Sequence, residues 1–448
     1  MRLIEHKTVV ILGAGLTGLS MLRFCLESHA SVTVMDSRQA PPLLKEFEAY
    51  QHDVELIFGA FNKSLLTDAD YILVSPGVDL NNVPMARDEL EAKMLSDIEL
   101  FVFEATAPVV AVTGSNGKST VCDALGFVLN TINRKTVVAG NIGVPVLDLL
   151  GKDIPEFYVL ELSSFQLDLV KSLKAKVACI LNVTEDHLDR HGSMAAYVNA
   201  KQKIYQGSEL CVYNFNDPLT KPRLESHSSR KYSELTFGFD QNADIRVVLS
   251  EQGFSVNSES RMYLSEAETK LKGAHNGLNI AAILAILSAL ELPVDQDAIS
   301  AIKNYSGLAH RCQEVETNDG VLWVNDSKAT NVGSAISAIQ SYRPKGKTLF
   351  LIAGGDLKGA DCFDFSIVVN ENVDQIWAFG KDAEILTAAI DKNKVHRVSL
   401  LSEAVSGIKQ SAKPGDCVLL SPACASTDMY RNYEERGSHF VQLLKEAS

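Results

Sequence analysis

Short, continuous apolar runs recur along the chain, and each ends abruptly in glycine or in polar residues. Thr8–Leu12, Ser31–Met35, Tyr71–Val74, Val109–Val112, Thr136–Gly140, Phe157–Leu160 and Val177–Leu181 are of this kind. They do not alternate apolar with polar, so they predict strands buried on both faces, as in parallel sheets. Helical stretches separate them. One follows Gly18 to about Ser28, one runs from Ser119 to Asn130, and an alanine-rich one runs from Ile280 to Leu290. Residues 210–270 break the pattern with short runs such as Leu235–Phe239 among Gly, Ser and Asn, which predicts a small, mostly antiparallel elaboration. After a junction at Tyr305–Arg311 the alternation resumes at Leu322–Asn331, Lys347–Asp356, Gln375–Gly380 and Asp416–Ser421. The expected fold class is α/β in three domains: 1–95 Rossmann-like, 96–306 central with a mostly parallel sheet, and 307–448 again a Rossmann-like α/β unit.

The polar residues at the strand ends carry the candidate chemistry. Val109–Val112 runs into Thr113-Gly-Ser-Asn-Gly-Lys-Ser-Thr120 and then a helix. Strand, glycine loop, Lys-Ser and helix are the parts of a nucleotide phosphate cradle, as in a P-loop ATPase. Gly114, Ser115, Asn116, Gly117 and Thr120 would present backbone donors at a helix N-terminus. Lys118 would reach the phosphates, and Ser119 would ligate their magnesium ion. The spacing is unusual, because Val112 stands five positions before Gly117, where the usual loop has glycine. The N-terminal strand runs into Gly13-Ala-Gly-Leu-Thr-Gly18, and a second strand ends in Asp36, as in a dinucleotide-binding unit. By itself that motif points to NAD. Glu161 ends another apolar strand at the sheet edge where ligands bind, and His187 follows a further core strand. Lys201 reads as an ordinary helix lysine, not separable from Lys203. Asn276 and Asn279 stand near the start of the alanine-rich helix, in reach of a base or ribose.

Composition narrows the classes. The 448 residues carry a net charge of −14, which excludes general nucleic-acid binding. Anionic ligands would therefore meet locally gathered cations. No apolar run reaches a membrane-spanning length. The eight cysteines include no Cys-x-x-Cys pair, in keeping with reduced thiols and a cytoplasmic setting.

These motifs, taken in order, resemble the Mur ligase family over essentially the whole chain. The matching segments are Thr113–Ser119, Glu161-Leu-Ser-Ser-Phe-Gln166, Asn182–His187, Gly273–Asn276, His310-Arg311, Asp326-Ser-Lys-Ala-Thr330 and Ser421-Pro-Ala-Cys-Ala-Ser426. The family's variant phosphate loop accounts for the unusual spacing. The N-terminus and the Ser421–Ser426 segment most resemble the member that joins D-glutamate to UDP-N-acetylmuramoyl-L-alanine. No Asp-Asn-Pro-Arg segment of a diaminopimelate-adding member is present.

The resemblance implies an ATP-dependent, monomeric ligase that proceeds through an acyl phosphate and uses two Mg2+ sites. Lys118, Glu161, His187 and Lys201 would be catalytic. Ser119 and Glu161 would serve one metal site, and His187 with a carbamylated Lys201 the other. Asn279, Arg311 and Asp326 would hold the adenosine of ATP. Leu16, Thr17, Ser37, Arg38 and Ser75 would hold the uridine diphosphate, with Asn141 on the sugar–diphosphate portion. Lys328, Thr330, Lys358, Ser426, Thr427 and Tyr433 would receive D-glutamate. Family members often carry leucine and phenylalanine where this chain has Thr427 and Tyr433. Because an acyl phosphate is lost to water, domain closure about hinges near 95 and 306 is expected. Two rival classes stay open on the residues alone: an NAD-dependent oxidoreductase, which leaves Lys118, Glu161 and His187 without a task, and a nucleotide-binding regulator without turnover.

Overall fold

The computed structural model describes residues 2–223, 233–343 and 346–445. The chain packs as two compact units, Met1–Arg246 with Ile280–Ala301, and Val247–Asn279 with Ile302–Ser448.

In the first unit, β1 (Thr8–Leu12) leads through the glycine turn into α1 (Leu16–Glu27) and then β2 (Ser31–Asp36). With β3 (Glu55–Phe58), β4 (Tyr71–Val74) and β5 (Met94–Leu95) they form a parallel sheet ordered β3-β2-β1-β4-β5. The order reverses at β1, so the loop after it opens into the ligand crevice at the strands' C-terminal edge. That turn depends on Gly18, where an added Cβ would lie 1.9 Å from the Gly13 carbonyl oxygen.

The second sheet begins with β6 (Val109–Thr113), all five residues buried, followed by α2 (Lys118–Thr131), β7 (Thr136–Gly140) and β8 (Phe157–Glu161). Then come α3 (Ser164–Asp168), β9 (Val177–Ile180), α4 (Leu188–His191), α5 (Met194–Gln202), β10 (Leu210–Asn214), β11 (Ser233–Gly238) and β12 (Ile245–Ser250). The strand order is β12-β11-β10-β9-β6-β8-β7. Val112 pairs with Glu161 on one side and Cys179 on the other, and Gly140 pairs with Glu161. The register therefore sets the carboxylate beside the start of the phosphate loop.

The antiparallel elaboration expected over 210–270 is corrected in part. β10 joins β9 in parallel, and β11 and β12 follow in parallel. β10 is buried on both faces like the strands before it, so the Gly, Ser and Asn breaks mark connections and not a change of sheet type. Residues 224–232 of that stretch lie outside the described residues.

In the second unit, β13 (Gly253–Asn257) and β14 (Met262–Ser265) pair antiparallel. α6 (Ala274–Ala289), whose residues from Ile280 onward belong to the first unit, starts six residues before the expected Ile280, so Asn276 and Asn279 lie within its first turns. The third sheet contains β15 (Gln313–Val315), β16 (Leu322–Asn325), β17 (Leu349–Gly354), β18 (Gln375–Phe379), β19 (Val395–Arg397) and β20 (Cys417–Leu420), ordered β15-β16-β20-β17-β18-β19. β15 pairs antiparallel; the remaining pairings are parallel. Trp323, Phe350 and Phe379 form the core of one layer with Phe440 of α7 (Tyr433–Lys445). Ile339, Leu351 and Phe365 belong to the core of the other. Among the described residues, no helix is long and apolar enough to cross a membrane.

Candidate functional site

The phosphate loop is held from behind before any ligand arrives. The Ser115 amide donates to the Asn182 carbonyl (2.9 Å), and the Asn116 amide to Asn182 Oδ1 (2.8 Å). Ser115 Oγ lies 3.0 Å from Tyr197 OH and accepts from the Thr184 amide at 3.0 Å. Gly117 caps α2 with φ 83°, a left-handed conformation that a side chain strains. Lys118 Nζ curls onto the Gly114 and Ser115 carbonyls, both at 2.8 Å. Ser119 and Thr120 are buried in the first turn of α2.

Lys201 Nζ meets the same Gly114 carbonyl, again at 2.8 Å, and lies 4.5 Å from the Tyr197 ring centre. It is 1% exposed. Burial first, and then the charge of Lys118, push its pKa well below the ordinary lysine value. Lys203, which composition could not distinguish from it, is partly exposed and ion-paired to Asp168 at 3.1 Å. Composition and periodicity contain no sign of this difference, to which only the resemblance pointed; three-dimensional burial makes it.

Glu161 is also buried. Its Oε1 accepts from Asn141 Nδ2 at 2.7 Å, while Oε2 is buried and has no hydrogen-bond partner among the described residues. The amide of Asn141 donates to the Glu161 carbonyl as well, at 2.8 Å. A buried carboxylate oxygen left without a donor fits a cation ligand. Among the described residues, no three His, Cys, Asp or Glu side chains converge as a ready metal cluster. His187 has φ 54°, and its ring packs edge-on to Phe165 at 4.9 Å. Phe165, His191, Ser164 and Tyr197, outside the expected set, join this neighbourhood. His191 Nε2 lies 3.0 Å from Ser164 Oγ, and its ring stacks on Phe165 and meets Tyr197. Burial lowers the His191 pKa. Its spacing of four from His187 was the available signal, and it looked like an ordinary helix turn.

The residues expected to hold uridine diphosphate do come together. Leu16, Thr17, Ser37, Arg38, Ser75 and Asn141 all line one cavity of about 830 Å³. Asp36 lies there too, but as a brace. Its Oδ2 accepts from the Ala14 amide (2.8 Å) and Arg38 Nη2 (2.6 Å), and its Oδ1 from Arg38 N and Nε, both at 2.9 Å. Burial works to raise the Asp36 pKa, and these bonds overcome that and hold it low. A carboxylate so occupied is not placed to take the ribose hydroxyls of NAD.

In the second unit, Asp326 is buried at the end of β16. Ser421 Oγ donates to it at 2.8 Å and the Cys312 amide at 3.2 Å; burial nevertheless raises its pKa to about 6. Lys328 Nζ sits 3.8 Å from the Tyr433 ring centre, so two of the residues expected at D-glutamate are in contact. The turn bearing Lys358 (φ 51°) is fastened beside Ser426 by paired bonds between Asp356 and Ala425, at 3.0 and 2.9 Å. Arg436, fully buried, donates to the Ser327 carbonyl at 2.8 Å and the Cys424 carbonyl at 3.2 Å, tying the ends of β16 and β20. Thr330 is partly buried and Thr427 exposed. Arg311 adjoins Asp326 electrostatically. Asn279 Nδ2 is engaged with Asn276 Oδ1 at 3.0 Å.

Fold and loop together define a three-sheet α/β protein with a phosphate loop at the heart of its second sheet. Residues 7–99 match the family described as Mur ligase MurD-like, N-terminal domain; residues 112–287 match the Mur ligase middle domain; and residues 310–424 match the Mur ligase glutamate ligase domain. Two curated relatives are UDP-N-acetylmuramoylalanine--D-glutamate ligases. The one from Saccharophagus degradans is 40% identical over 98% of both chains, and the one from Pseudoalteromonas translucida is 42% identical over 98% of both. Among solved structures, a UDP-N-acetylmuramate-alanine ligase from Thermotoga maritima aligns with TM-score 0.65 at 17% identity, covering 99% of this chain and 100% of that one. A MurF ligase from the same organism, in complex with ADP, aligns with TM-score 0.65 at 19% identity, covering 93% and 96%. At such identities the structures speak for the fold. The chain belongs to the Mur ligase family.

Proposed function

We propose that this protein joins D-glutamate to UDP-N-acetylmuramoyl-L-alanine with ATP as the energy source, a step of peptidoglycan precursor synthesis. The observation that carries the reading is the position of Asn141. It lines the nucleotide-sugar cavity and also donates to Glu161, whose strand runs in register with the phosphate loop. A uridine-linked substrate in that cavity would have its muramoyl end next to the phosphates of ATP. The names of the curated relatives support D-glutamate as the acceptor.

The substrate carboxylate attacks the γ-phosphorus, and ADP leaves. The D-glutamate amine then attacks the acyl carbon, gives up a proton, and phosphate departs. Such transfers depend on positioning and charge neutralisation more than on covalent help from the protein. Lys118, now folded back on the loop carbonyls, swings to the phosphates as they replace those acceptors. Magnesium, when bound, neutralises charge on the transferring phosphoryl group; Ser119 and the unpartnered Glu161 Oε2 would hold one ion, and His187 with Lys201 would serve a second. A buried lysine whose pKa is low is a neutral amine able to take up carbon dioxide, losing a proton and becoming an anionic oxygen ligand. Arg38, Ser37, Thr17, Leu16 and Ser75 grip the uridine diphosphate. Asn279, Arg311 and Asp326 hold adenosine, and Lys328, Thr330, Lys358, Ser426, Thr427 and Tyr433 receive D-glutamate. The three sheets support a division at about residues 95 and 306, with the adenosine contacts drawn from both later domains.

The test is ADP and phosphate release measured with each substrate omitted in turn. Turnover should require both the uridine-linked substrate and D-glutamate. It should fail with L-alanine or diaminopimelate as acceptor. ADP release indifferent to the amino acid, or reduction of NAD, would sink the assignment.

A further inference from the structure

A second cavity in the first unit, of about 520 Å³, is separate from the nucleotide-sugar cavity. The helix Arg87–Lys93 and the turn at Leu80–Asn82 contribute one part of its lining; α3, the residues after it, and Arg190 of α4 contribute another. Its charge is out of character with the chain. In a protein of net charge −14, Arg87, Lys171, Arg190 and Lys203 line this space against the carboxylates Glu91 and Asp168.

Lys203 is paired to Asp168, but the other three cations are lightly held. Arg87 pairs with Glu91 at 2.6 Å, with side chains 58% and 48% exposed. Lys171 acts on the Glu91 carboxylate electrostatically, and its Nζ donates to the Glu91 carbonyl at 2.7 Å. Arg190 reaches the Val78 carbonyl at 3.0 Å and Asp79 at 3.4 Å. Exposed pairs of this kind contribute little, so a multiply charged anion can draw their cations to itself. Phe165 and Leu169 add an apolar wall.

The partition between the two cavities is α3. Gln166 lines the nucleotide-sugar cavity, while its neighbour Phe165 lines the second. The Phe165 ring also carries His187 at 4.9 Å and His191 at 5.5 Å, and the Arg190 guanidinium lies 5.8 Å from it. We infer that this cavity is a regulatory site for a small, multiply charged phosphate anion, read by the reaction centre through Phe165 and the α4 segment. An anion bound between Arg87, Lys171 and Arg190 ties the helix Arg87–Lys93 to α4, and with α4 it fixes the position of His187. The site stands on its own geometry and does not depend on which amino acid is ligated.

The probe is inorganic pyrophosphate without magnesium, titrated by calorimetry into the full chain carrying Lys118→Ala, which mutes the phosphate loop. Histidine ring resonances are followed by NMR in the same titration. Beyond any pyrophosphate taken up by the nucleotide-sugar cavity, one should bind at this site and shift the His187 and His191 signals. Adding Arg87→Ala and Lys171→Ala should weaken binding by about tenfold or more and remove the shifts. Thermal melts check that both proteins are folded; if the combined variant is not, Lys171→Glu alone should give the same loss. No binding to the first protein, or equal affinity in both, overturns the inference. Binding with unshifted histidine signals overturns the link to the reaction centre.

Discussion

At the scale of single residues, burial sorts side chains that look alike in one dimension. Lys201 and Lys203 stand two positions apart, and one is sealed against the phosphate loop while the other sits on Asp168 at the surface. Lys201→Ala should lower ligation by roughly a hundredfold or more, a loss in the range seen when groups that support a metal or a charged transition state are removed. Acetate or formate should restore part of the rate, standing in for the proposed carbamate. Full activity in the variant, or no recovery with any short carboxylate, would count against the role. Asp97 shows the opposite side of burial. Its Oδ1 is buried without a partner, and burial raises its pKa from 3.8 to about 6. A folded-state pKa above the unfolded value means that Asp97 supports the fold below pH 3.8 and loses that support as pH rises through 6. Asp97→Asn should therefore gain on the parent protein between pH 4 and 7, by at most about 3 kcal/mol. Melting temperatures across that range test it; a difference that does not change with pH would show that Asp97 does not titrate there.

At the scale of elements, glycines decide where backbone comes close enough to bind. Gly18 lets α1 pack on the loop carbonyl of Gly13, and Gly117 lets the phosphate loop turn into α2 at φ 83°. Gly18→Ala pushes the turn open, and the KM for the uridine-linked substrate should rise about tenfold or more while ATP affinity holds. Gly117→Ala should do the reverse, weakening ATP and costing about 1 kcal/mol of stability from its left-handed φ. Steady-state kinetics with each substrate varied, together with melting curves, separate the two. An unchanged pattern in both variants would mean that neither turn shapes a binding site. The parallel joining of β10 to β9 belongs to this scale too. Polar breaks suggested a separate antiparallel piece, and pairing with the buried strand β9 overrode them.

At the scale of the whole molecule, the candidate contacts for the substrates are distributed over the chain, so their apparent affinities should respond separately. Lys358→Ala should raise the KM for D-glutamate tenfold to a hundredfold, the loss of about 1.5–3 kcal/mol expected for a charge-assisted bond. The KM values for ATP and the uridine nucleotide should stay within a few-fold. Loss of ATP affinity instead would remove Lys358 from the amino-acid pocket. What the sequence determined by itself was the α/β alternation, the glycine turns and the ordered motifs, because these are local. Buried strands need continuous apolar runs, and tight turns need glycine at particular positions. Tertiary structure alone decided which polar residues meet. It placed Glu161 in register with the phosphate loop, spent Asp36 on Arg38 and Ala14, and put Lys201 on the Gly114 carbonyl. It also gathered His191 and Tyr197 around Phe165 and Ser115. Such meetings depend on strand order and burial, which depend on contacts between residues far apart in the chain, and a linear pattern does not record those.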